Sequence, residues 1–242
     1  MKAAASDQRS ILDIARFDQQ TTSLRHKVAN LPELAELAST NVKANNTRDL
    51  RIAAQTELSD VKRELLRAEA DVEQVESRIT RDETRLNAGN STPKELEQLQ
   101  HEVGTLGVRR AELEEIELEI MMRVDVINER ITTLKNEEAT HSIIITDLEV
   151  RIENALATFN NELERITKER AETINGIEHT FVELYEKLRA KSGGNGAAAL
   201  VAGICTGCNL SINAVELKRM ADIAEDEIVR CEECRCILVR GA

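Results

Sequence analysis

From Asp7 to Leu86 the apolar residues fall mostly three or four positions apart, the spacing that lines one face of a helix. Ile11, Ile14, Phe17, Leu24, Val28 and Leu31 open the series, and Leu31-Pro32-Glu33 interrupts it. Proline removes a helix hydrogen bond and clashes with the preceding turn, so a kink or restart is expected over 30–33, with Asn30 and Glu33 as a capping pair. The seam thins through Asn41, Ala44 and Arg48. It becomes regular again at Leu58, Val61, Leu65, Ala68, Val72, Val75, Ile79 and Leu86, with only Asp82 out of place. Alternating three-four steps of this kind mark a coiled coil.

Asn87 to Ser91 is turn chemistry, and Thr92-Pro93-Lys94-Glu95 then starts a second helix. Thr92 can cap, proline suits the first helical position and Glu95 completes a capping box. The predicted tip is 87–93. The second seam runs through Leu96, Leu99, Val103, Leu106, Arg110 and Leu113, then Ile120, Val124, Ile127, Ile131 and Leu134. It continues through Glu138, His141, Ile145, Leu148 and Ile152, and on to Phe181, Leu184 and Leu188. One helix over 93–191 would be on the order of 145 Å long. A short connection folds two such helices against each other, so 1–191 reads as an antiparallel coiled-coil hairpin. Gly104 and Gly107 either permit close helix approach or bending, or are soft spots tolerated at about 1 kcal/mol each.

The pattern changes after Lys191. Ser192-Gly193-Gly194-Asn195-Gly196 opens a stretch, 192–199, that reads as a flexible linker. Within 200–242, Leu200 to Ile204, Glu227 to Arg230 and Ile237 to Arg240 read as strands, and Asn213 with Glu216 opens a short helix to about Ala221. The expected fold class is mainly α: a long antiparallel coiled-coil helical hairpin with a small C-terminal unit of short β-strands and one short helix.

Composition agrees with long helices. Aromatic residues make up 2% of the chain and charged residues 31%, with no tryptophan and two prolines. The formal net charge of −12 argues against a phosphate backbone as the main ligand, because such binding needs Lys and Arg to neutralise it. No signal-peptide core and no apolar run of ~18 residues stands out, so a cytoplasmic protein is expected.

All five cysteines lie between Ile204 and Ile237. Four form two Cys-x-x-Cys pairs, Cys205-Thr-Gly-Cys208 and Cys231-Glu-Glu-Cys234. A two-residue gap lets one tight turn offer both sulfurs to one metal, and zinc takes four thiolates in a tetrahedron. In a reducing compartment paired cysteines read as metal ligands before disulfides. Cys205, Cys208, Cys231 and Cys234 are therefore the expected ligands of one structural Zn2+. A unit of about 40 residues has little core, so the metal is expected to stabilise it. Cys236 reads as a small residue on the last strand, a spare ligand or a redox-sensitive thiol. His26, His101, His141 and His179 show no metal spacing, and no nucleophile motif or phosphate loop stands out, so no enzyme is expected.

The chain resembles the bacterial C4-type zinc-ribbon domain proteins, in which a long coiled-coil hairpin precedes a C-terminal zinc ribbon. The resemblance rests on Thr92-Pro93-Lys94-Glu95-Leu96, on the two cysteine pairs with Ile228-Val229-Arg230 before the second and Ile237-Leu238 after it, and on the order of the parts. It places the family's ligands at Cys205, Cys208, Cys231 and Cys234. Where the family has Gly-Arg after the last ligand, this chain has Arg235-Cys236. The family implies a non-enzymatic adaptor or chaperone-like role, with members tied to an alternative sigma factor or to secretion components. Two rival readings stand beside it: a transcription regulator contacting RNA polymerase or a sigma factor through the tip acids Asp82 and Glu83, and an RNA-binding protein. A monomer and a dimer through the coiled coil both fit the pattern.

Overall fold

The computed structural model describes residues 1–89 and 92–241. Helices α1 (Ala5–Ala29), α2 (Pro32–Asn87), α3 (Pro93–Asn175) and α4 (His179–Lys191) are followed by strands β1 (Ala197–Val201) and β2 (Ile204–Cys205). Helix α5 (Ala214–Asp222) and strands β3 (Val229–Arg230) and β4 (Ile237–Val239) complete the chain. The fold class is the expected one. Packing divides the chain into two units, one of residues 35–149 and one joining 1–34 to 150–242.

Within 35–149, α2 and α3 run antiparallel. Ala54, Val61 and Ala68 of α2 share a core with Ile120, Ile127, Ile131 and Leu134 of α3. Ion pairs across the seam fix the register: Arg51 to Glu138 at 2.8 Å, Glu64 to Arg123 at 2.8 Å and Glu57 to Arg130 at 3.7 Å. Glu138, a polar residue on the expected seam, is thus the acceptor of a cross-helix guanidinium. The seam does not thin before Leu58. Thr40, Thr47 and Ala54 are buried seven residues apart, in step with Val61 and Ala68. Threonine fits there because its hydroxyl bonds its own helix, as Thr40 does to the Glu36 carbonyl at 2.9 Å. Asp82, the one residue out of the apolar pattern of this stretch, is also buried.

Glu95 accepts from the Thr92 amide and hydroxyl, each at 2.8 Å, and the Thr92 hydroxyl accepts from the Glu95 amide at 3.4 Å. The capping box is formed. Of the expected tip, Asn90 and Ser91 lie outside the described residues. Open space surrounds the Cβ positions of Gly104 and Gly107, so close helix approach is not what places glycine there.

The second unit departs from expectation in three ways. Helix α1 ends at Ala29, and Asn30 closes it by donating its amide and side-chain nitrogen to the His26 carbonyl; it does not cap α2. The helix expected over 93–191 breaks at Asn175-Gly176, the composition of a helix end. After the break, α4 turns Phe181, Tyr185 and Leu188 into a core with Ile11 and Ile14 of α1 and with Ala197, Ile237 and Val239 of the sheet. The stretch expected as linker also contains the start of β1. Ala197 and Ala198 are buried, and β1 lies inside the sheet, whose order is β2-β1-β4-β3. Strands β1 and β4 pair in parallel, with Ala197 opposite Ile237, and the outer pairings are antiparallel. Gly196 is required at the entry to β1, because a Cβ there would collide with the Tyr185 ring.

The N-terminus belongs to the same unit. The Ala3 amide donates to the Asp226 carbonyl at 2.8 Å, the Ile228 amide donates to the Met1 carbonyl at 3.1 Å, and Gln8 bridges the Ala3 and Glu225 carbonyls. Asp18 of α1, 3% exposed, accepts from the Tyr185 hydroxyl at 2.7 Å and from Arg170 Nε at 2.8 Å, and pairs with Arg189 at 3.1 Å. One carboxylate therefore ties α1 to α3 and α4.

Candidate metal centre

Two turns of matching construction bring the cysteines together. In the first, the Asn209 amide donates to the Cys205 carbonyl at 2.8 Å and the Cys205 amide donates to the Leu210 carbonyl at 3.1 Å. In the second, the Arg235 amide donates to the Cys231 carbonyl and the Cys231 amide to the Cys236 carbonyl, both at 3.0 Å. The residue after each pair is left-handed, Asn209 at φ 59° and Arg235 at φ 63°. Asparagine tolerates that region; arginine does so at a cost, which explains why a glycine is expected in its place.

The first turn presses on β1. A Cβ at Gly207 would lie 2.9 Å from the Ala198 Cβ and 3.5 Å from the Cys236 sulfur, so only glycine fits without displacement. Thr206 fastens the turn further, its amide donating to the Ala199 carbonyl and its hydroxyl accepting from the Ala199 amide, both at 3.0 Å. Beyond it, the Asn213 side chain accepts from the Val215 and Glu216 amides and so starts α5, as expected. Arg240 holds the other end of α5, its guanidinium donating to the Met220, Ile223, Ala224 and Glu227 carbonyls.

The sulfurs of Cys205, Cys208, Cys231 and Cys234 all lie within 4.8 Å of one another. Cys205 and Cys234 are 3.8 Å apart, and Cys208 and Cys231 are 3.9 Å apart. A tetrahedron with zinc–sulfur bonds of about 2.3 Å has sulfur–sulfur edges of about 3.8 Å. The donor set therefore fits a single tetrahedral ion, and all four sulfurs are free thiols rather than disulfides. Cys205 and Cys231 are buried, while Cys208 and Cys234 are half-buried. Burial pushes the Cys205 thiol up, against the opposing amides of Cys208 and Gly207. Burial also opposes ionisation of Cys231, but the Cys234 and Glu233 amides with neighbouring thiols outweigh it and hold that thiol below its ordinary value.

Cys236 lies outside this group of four. Its sulfur is fully buried, 3.2 Å from that of Cys234 and 3.9 Å from that of Cys205. Burial, first of all, pushes its thiol far up. Its backbone closes the second turn as Leu210 closes the first, which accounts for its place before β4. The scattered histidines are not brought to the cysteines.

A family model described as a CT398-like coiled-coil hairpin domain matches residues 14–193. The chain belongs to the CT398-like coiled-coil hairpin family. This CT398-like protein is 30% identical over 240 residues to an uncharacterised protein of Mycobacterium tuberculosis, covering 99% of this chain and 98% of that one. An uncharacterised Mycobacterium leprae protein is 25% identical over 228 residues, 93% of this chain and 96% of its own. A Mycobacterium smegmatis structure matches with TM-score 0.86 and 30% identity, covering 99% and 100% of the two chains. CT398 from Chlamydia trachomatis matches with TM-score 0.65 at 19% identity, over 97% and 98%. That last likeness concerns the fold alone.

Proposed function

We propose that this CT398-like protein is a non-enzymatic adaptor. It binds one structural zinc through Cys205, Cys208, Cys231 and Cys234, as C4-type zinc-ribbon proteins do, and joins protein partners through its hairpin and its zinc-held ribbon. The observation that carries the reading is the set of four thiols at tetrahedral spacing. Four protein thiolates fill the coordination of zinc and leave no position for water or substrate, so the metal would brace the ribbon rather than catalyse. No helix among the described residues is long and apolar enough to cross a membrane.

The test has two parts. Elemental analysis of the purified chain should find about one zinc per protein, lost in Cys231→Ser; iron in its place, or no metal, would refute the zinc assignment. Affinity purification of the full chain from its own cells, with and without RNase, should return protein complexes indifferent to RNase. Recovery only of RNA would overturn the adaptor, and recovery of RNA polymerase or a sigma factor would replace it with the transcription reading. Asp82 is a poor probe of that rival because its side chain is buried in the hairpin; Glu83 is the exposed acid to reverse.

A further inference from the structure

Helix α3 carries a second apolar stripe on the side away from its α2 seam. Leu118, Met122 and Val126 recur every four residues and are 59%, 61% and 64% exposed, whereas Ile120, Ile127 and Ile131 of the same turns are buried against α2. The stripe is framed by acids. Glu115, Glu119, Asp125 and Glu129 stand three or four residues from its members, are all exposed, and have no ion-pair partner among the described residues. Residues 111–134 contain two cations, Arg123 and Arg130, and both are turned to α2, where they pair with Glu64 and Glu57. The groove beside Met122 and Val126 is lined by Glu57 of α2, by Glu119 and by Arg123, whose guanidinium is taken up by Glu64. An outward face of leucine, methionine and valine between unpaired carboxylates is thus left without its own counter-charges.

We propose that this face docks a basic amphipathic helix of a partner protein, its apolar side lying on Leu118, Met122 and Val126 and its lysines or arginines meeting Glu115, Glu119, Asp125 and Glu129. The proposal deepens the adaptor reading and rests on it. Charge selects the occupant. A second copy laid antiparallel on the same stripe would set four carboxylates against four, and like charges facing each other oppose association. Nucleic acid and anionic lipid are repelled for the same reason. A helix in a groove is read through anchors at i, i+4 and i+8, and this stripe offers three such positions over about 12 Å. Methionine at its centre adapts to differing side chains, while the acids steer the partner and fix which faces meet.

The test uses the full-length protein and a fluorescent peptide of about 18 residues in which leucines form one helical face and lysines the other. Fluorescence anisotropy at near-physiological salt should show saturable binding that weakens roughly tenfold in the Met122→Lys/Val126→Lys double variant. A Glu115→Gln/Glu119→Gln variant should weaken it less and flatten its salt dependence. A scrambled peptide of identical composition controls for attraction to a net charge of −12; equal binding of the scramble would overturn the proposal. So would unchanged binding in the double variant with helicity retained by circular dichroism. Sedimentation that shows a dimer of the native chain dissolved by Met122→Lys would assign the face to a second copy and overturn it as well. Failure here is distinguishable from failure of the adaptor reading, which is decided by what co-purifies with the native chain.

Discussion

Asp18 shows what a single buried carboxylate does in this chain. It accepts from Tyr185 while Arg170 and Arg189 balance its charge, so three helices meet on one side chain. Burial foremost, then the bond to Asp18, push the Tyr185 phenol well above its ordinary value of 10.0. A raised folded-state value means the stabilisation is complete below about pH 10 and is lost as pH rises past it, because only the unfolded chain ionises there. Tyr185 is the only tyrosine, so its titration is read without interference. Tyrosinate absorbance should appear only together with loss of helical signal; a reversible rise near pH 10 with the fold intact would contradict the buried contact. Arg235 sits at φ 63° where an L side chain is strained. Arg235→Gly should therefore stabilise the second cysteine turn by about 1 kcal/mol, measured as a higher midpoint of thermal unfolding. The resemblance to C4-type zinc-ribbon proteins marks Arg235 as standing where a glycine is expected; the strain it carries is visible only in the backbone.

Among the elements, those with local causes follow their sequence closely. The capping box at Thr92 and Glu95 forms as its residues dictate, and so does the Asn213 cap on α5, because a cap needs only neighbours three residues away. Thr92→Ala should cost about 1 kcal/mol, read as a shift in the denaturant midpoint at unchanged slope. Elements whose limits depend on distant packing are displaced. The break at Gly176 brings Phe181 and Tyr185 against α1, and the supposed linker becomes β1 because Ala197 and Ala198 are small enough to sit beside β4. Alanine and glycine are ordinary linker composition, and nothing local marks them as sheet interior. The buried threonines of α2 lie outside the hydrophobic pattern for a related reason: a hydroxyl satisfied by its own helix, as that of Thr40 is by the Glu36 carbonyl, packs as if apolar.

At the scale of the molecule, the cysteine ribbon is not a separate bead after the helices. One core joins α1, α4 and the sheet, a second surrounds Cys205, Cys231 and Cys236, and β4 contributes to both through Ile237, Leu238 and Val239. Loss of the proposed zinc should therefore be felt in α1 as well as in the strands. In Cys231→Ser, or on chelation, amide protection should collapse over 197–239 and fall in 5–29, while helices within 35–149 keep theirs. Protection of the strands equal to that of the native protein would show that the thiols do not hold the ribbon through a metal.

By itself the sequence determined the helical hairpin, the caps at Thr92 and Asn213 and the four thiols that converge, because heptad spacing, capping chemistry and Cys-x-x-Cys turns act over a few residues. The tertiary structure alone decided that residues 1–34 pack with 150–242, that β1 lies inside the sheet, and that Asp18 is shared by three helices. Those features arise from contacts between positions far apart in the chain, from the pairing of Ala197 with Ile237 to the bond between Tyr185 and Asp18, made by residues whose local setting carries no signal. Such contacts are selected by the volume and charge that the opposite surface supplies, and no local pattern along the chain encodes that surface.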